Sequence, residues 1–194
     1  MQSGKNKSAF NLKPKILYAA DSVGHTVAAR SLEYFINSRI KTVRAYSSVY
    51  NSSARWPEHN FTDVVNNALE NPGRDNFDVL IMSAPTVDIS TANLNPLDNT
   101  EAFQQQIIVS AQNMFSLAQS TLEKNKSLSK VILLEHPQRL DDQNVDPTSL
   151  KRNLTRLDNT TLFKLRQSSP FKDRIVIGHH NLSSPGQGPL HVPE

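Results

Sequence analysis

The chain has 194 residues, no cysteine, and a formal charge of +3 from 21 Lys+Arg against 18 Asp+Glu. That length suits one domain with its own core, and the lack of cysteine excludes disulfides, thiolate nucleophiles and cysteine-based zinc or iron–sulfur sites. The charge is uneven: residues 1–15 hold Lys5, Lys7, Lys13 and Lys15 with no acid, leaving 17 basic against 18 acidic groups elsewhere, so the pI of ≈ 9.2 reads as a cationic tail on a neutral domain.

Residues 1–14 read as a disordered basic tail, 15–182 as the folded domain, and 183–194, rich in Ser, Pro and Gly, as a flexible C-terminal tail. Met1 to Lys15 is polar and the apolar run Ile16–Ala20 is too short for the core of a secretory leader. No run approaches the roughly 20 apolar residues of a membrane span. An intracellular, cytoplasmic protein is expected. The oligomeric state stays open.

The first β-like run is Ile16–Ala20, followed by a helical face of Ala28, Leu32, Phe35 and Ile36. A second strand is expected over Ile40–Ala45. Phe61, Val64, Val65, Ala68 and Leu69 then share a helix face, which Asn71-Pro72-Gly73 ends. Val79–Ser83 is the third strand. The longest stripe runs through Phe103, Ile107, Ile108, Ala111, Met114, Phe115, Ala118 and Leu122, with Asp98 and Glu101 spaced as a capping pair. Val131–Leu134 is the fourth strand. Asp146-Pro147 opens a helix bearing Leu150, Leu154, Leu157 and Leu165, and Arg174–Ile177 is the last strand. Several strands are almost continuously apolar, as in a sheet covered on both faces. Four strand–helix alternations predict a doubly wound, mostly parallel five-stranded sheet in a three-layer α/β/α sandwich.

Ligands of such sheets sit beyond the carboxyl ends of the strands, where strand order reverses. Asp21-Ser22-Val23-Gly24-His25-Thr26 leaves the first strand. Ser22 there suits an exposed nucleophile beside helix amides, with Gly24 allowing a tight turn; Asp21, Ser22 and Thr26 suit helix capping at least as well. The third strand leads to Asp88, which could orient a histidine, bind a substrate hydroxyl or cap its turn. Glu135-His136-Pro137-Gln138-Arg139 follows the fourth, where Glu135 and Arg139 suit a local ion pair. His179 and His180 follow the fifth; adjacent residues of an extended segment point opposite ways, and no further ligand sits at metal spacing, so no metal site is expected.

Ala20-Asp21-Ser22, Ala45-Tyr46-Ser47-Ser48-Val49-Tyr50, Arg55-Trp56-Pro57, Asn60–Val64, Ser83–Ile89 and Glu135-His136-Pro137 together resemble the SGNH (GDSL-type) hydrolase superfamily, and most of all a group of SGNH-like proteins of marine invertebrates linked to mobile elements such as retroelements. The resemblance covers roughly residues 15–182. It implies a flavodoxin-like three-layer fold and hydrolysis of a small ester through a serine acyl-enzyme, with no metal or organic cofactor. Ser22 would be the nucleophile and its neighbouring amides oxyanion donors.

The pattern also departs from that family. Ala20 replaces the first glycine, no glycine lies between Gly24 and Gly73, and the third block lacks the asparagine donor. None of the eleven aspartates has a histidine three residues on, and the chain runs fourteen residues past His180 without the Asp-x-x-His segment. A truncated active site is therefore expected, with His180 as the substitute base and His25 as the second choice. Weak or absent esterase activity follows. The alternative is a binding module without catalysis that uses the same cleft, or that holds nucleic acid through the basic tail.

Overall fold

The computed structural model describes residues 14–20, 39–44, 61–70, 76–83, 101–134 and 160–178. Five strands form one sheet: β1 Lys15–Ala20, β2 Arg39–Arg44, β3 Val79–Ser83, β4 Lys130–Leu134 and β5 Ile175–Gly178. Their order is β2-β1-β3-β4-β5 and every adjacent pair is parallel, so the expected mostly parallel sheet is wholly parallel. Among the described residues three helices accompany it: α1 Phe61–Glu70, α2 Glu101–Lys124 and α3, residues 160–167. The fold is an α/β sandwich.

The period of two along each strand sorts its side chains between the sheet's faces. Register aligns Leu17 with Leu80, Leu80 with Val131 and Val131 with Ile175, and likewise Ala19, Met82, Leu133 and Ile177. These two rows form the floor of the main core. Phe61 and Val65 of α1, Met114, Ala118 and Leu122 of α2, and Leu162 of α3 all join the same cluster. α1 lies against β1 and β2, and α2 against β4. All three helices therefore pack on one face. The connections that carry them, β2 to β3, β3 to β4 and β4 to β5, step the same way across the sheet, and right-handed crossovers then put them on one side.

The opposite face carries Tyr18 and Ala20, both buried, with Ile40, Ile81 and Leu134 around them. The connection that steps the other way, β1 to β2, spans residues 21–38. The stripe expected at Ala28–Ile36 thus lies outside the described residues, as do Asp98 and residues 150–159 of the stripe before β5. No helix among the described residues is long and apolar enough to cross a membrane.

In α2 the expected positions Ile107, Ala111, Met114, Phe115, Ala118 and Leu122 are buried and Ile108 is half-buried, while the Phe103 side chain lies outside what the structure describes. In α3 the fully buried position is Leu162, while Leu165 packs at the margin. The last strand sits one residue later than Arg174–Ile177: the Arg174 N–H closes a turn on the Phe171 carbonyl at 2.8 Å, while the Arg174 carbonyl accepts the Val131 N–H at 2.9 Å. Where the strands begin, Asp78 ties three of them together. Its N–H donates to the Lys15 carbonyl (2.8 Å), its Oδ2 accepts the Lys15 N–H (2.8 Å), and its carbonyl accepts the N–H and hydroxyl of Ser129 (2.7 and 2.8 Å).

Candidate active site at the strand exits

The carboxyl ends of the strands lie in one row. Ala20 pairs with Arg44, Ala19 with Met82, Ser83 with Leu134 and Leu134 with Gly178, so the last residues of all five strands are level. Strand order reverses between β1 and β3, whose connections depart in opposite directions. This is the crevice position of a doubly wound sheet. Two residues floor it, Ala20 and Ser83, both without solvent exposure. Among the buried strand residues described, Ser83 and Tyr18 carry a hydroxyl, and neither is without a partner.

An alanine at the end of β1 follows from this packing. Its Cβ lies on the face of Tyr18 and Ile81, one strand spacing from Ser83, where a larger side chain would fill the crevice. Gly178 has a related role at the end of β5. A Cβ there would stand 2.8 Å from Leu134 Cδ2 and 3.5 Å from Ile132 Cγ2, so the glycine lets β5 pack closely on β4.

Asp21, Ser22, Gly24, His25, Asp88 and His180 all lie outside the described residues, as do Glu135, His136, Arg139 and His179. The described strands nevertheless fix the points from which these segments depart. At about 4.8 Å between strands, the ends of β1 and β3 are about 5 Å apart, and those of β1 and β5 about 14 Å. Two residues span at most about 7 Å of extended chain. Ser22 and His180 each stand two residues past their strand, so their meeting requires both segments to run toward each other along the edge. Asp88, five residues past Ser83 on the neighbouring strand, has far more reach than it needs.

Among the described residues no group of three or more His, Asp or Glu could hold a metal ion. No protein-family model matches the sequence, and no curated protein emerges as a relative.

Proposed function

We propose that the chain is an SGNH-hydrolase-like domain acting as a slow serine esterase on a small ester. The observation that carries this reading is the strand order, which makes the exit of β1, where Asp21-Ser22 follows Ala20, one side of the switch point. In the proposed reaction the Ser22 hydroxyl attacks the ester carbonyl while His180 takes its proton. The imidazolium returns that proton to the departing alkoxide, and water then releases the acid from the acyl-serine. Asp21 and Gly24 shape the turn around the nucleophile, His25 is the alternative base, and Asp88 orients the base or a substrate hydroxyl.

The reaction is slow because donors are missing. With neither a glycine between Gly24 and Gly73 nor an asparagine in the third block, the oxyanion relies on amides next to Ser22. Each absent donor costs roughly 10²–10³ in rate. We place the protein in the cytoplasm, which the cysteine-free sequence supports.

Hydrolysis of p-nitrophenyl acetate tests the reading. The native chain should exceed its Ser22→Ala variant at least tenfold, and His180→Ala should fall with it. Equal rates for the native chain and Ser22→Ala would overturn serine catalysis and leave the cleft to binding.

A further inference from the structure

The amino edge of the sheet lies opposite the candidate site, and here the fold collects charge that the averaged composition conceals. The described residues hold eleven basic against six acidic groups, a net +5. Segments 21–38, 45–60, 84–100, 135–159 and 179–194 of the sequence hold six basic against eleven acidic groups, a net −5. A chain that sums to near neutrality thus carries its basic excess on the described elements.

Several of these basic groups lie where the strands begin, although Arg44 ends β2 at the other edge. Lys15 pairs with Arg39 across β1 and β2, and Lys130 pairs with Val79, next to Asp78. Arg174 immediately precedes β5, level with Lys130. Its guanidinium donates to the Leu128 and Ser129 carbonyls and lies over the Phe171 ring, 5.7 Å from the centroid. Arg166 donates through Nε to the Lys172 carbonyl at 2.8 Å, which brings the end of α3 to this edge. Lys126, Lys130 and Lys172 are exposed. The acids nearby are Asp78, whose Oδ2 accepts the Lys15 N–H, with Glu70 at the end of α1, Glu123 and Asp173. Lys124, in the last turn of α2, complements the helix dipole.

We infer that this edge binds the phosphate backbone of a single-stranded nucleic acid. Its cations are spread from β1 to β5, three strand spacings or about 14 Å, rather than converging on one point. That spacing suits an extended polyanion better than a single small anion. The chain enters β1 at the same edge from a segment bearing Lys5, Lys7 and Lys13. Phe163, 52% exposed, lies three residues before Arg166 on α3 and therefore beside it. An exposed ring next to cations is a platform on which an unpaired base stacks.

Fluorescence anisotropy with a labelled 20-nucleotide poly(U) strand tests the inference on the full chain. Lys126→Glu/Lys130→Glu/Lys172→Glu should bind at least tenfold more weakly and lower the salt-dependence slope by about 2, for three phosphate contacts at roughly 0.7 each. Phe163→Ala should weaken binding at least fivefold. The corresponding triple Lys→Gln variant carries the same test if charge reversal perturbs folding, as read by circular dichroism. Unchanged affinity in the triple variants overturns the inference, as does a loss confined to Lys5→Gln/Lys7→Gln/Lys13→Gln. Binding of the native chain to phosphatidylserine vesicles but not to poly(U) also overturns it. The p-nitrophenyl acetate rate should be the same in the triple variants, which separates this surface from the reading of Ser22.

Discussion

Asp78 shows how much one exposed residue can hold. Its backbone and carboxylate clamp the start of β1, while its carbonyl gathers Ser129 at the start of β4. Asp78→Ala removes only the carboxylate contact and should cost about 1–2 kcal/mol in urea unfolding, with Asp78→Asn recovering part of it. Thr121 is the opposite case. Its carbonyl accepts the Asn125 N–H and side-chain amide at 2.9 and 3.1 Å, but its own Oγ1 is buried without a partner. Thr121→Val removes that unsatisfied group, and the melting temperature should stay level or rise, by roughly 0.5–1 kcal/mol of stability. Neither effect was legible in the sequence. An Asp before a strand and a Thr near a helix end are both common, and their partners lie far along the chain or are missing.

At the scale of elements, the hydrophobic pattern carried most of the information. The burial of α2 follows its predicted stripe because a long helix must present a continuous face to the sheet, and period alone determines which residues lie on it. Met114 is fully buried at the centre of that face. Met114→Ala should destabilise the protein by about 2–5 kcal/mol, measured by urea denaturation with an unchanged m value. Strand boundaries were less legible, since they depend on which amides enter the ladder. Arg174 divides its backbone between the two, its N–H closing the turn on Phe171 and its carbonyl accepting from Val131 of β4, which no local propensity encodes. Ala20 and Gly178 also make sense only as ends of strands. Each is small because a neighbouring strand's side chain or a crevice occupies the space beside it.

At the scale of the whole molecule, alternating strands and helices predicted a doubly wound sheet, and the strand order realises it. Five strands ending level follow from the pairing register, which sequence patterning does not specify between non-adjacent segments. Sequence could therefore nominate Ser22, His25, Asp88 and His180 as residues leaving strands, yet it could not rank their separations. The strand order does, putting the exits of β1 and β3 side by side and that of β5 two strands further on. The basic amino edge was hidden for a related reason. Summing charges along the chain averages over elements, whereas the sheet places the starts of distant strands together. The same order has a consequence for synthesis. β1 takes its place between β2 and β3, and its clamp to Asp78 joins residues 63 apart in the chain. At about 5–20 residues per second, β1 emerges roughly 3–13 s before that partner exists. For that interval the first strand has at most β2, made some 24 residues later, for company, with an open apolar edge. A ribosome that pauses between residues 44 and 78 would prolong this exposure, making the early chain a substrate for chaperones and the step most prone to aggregation.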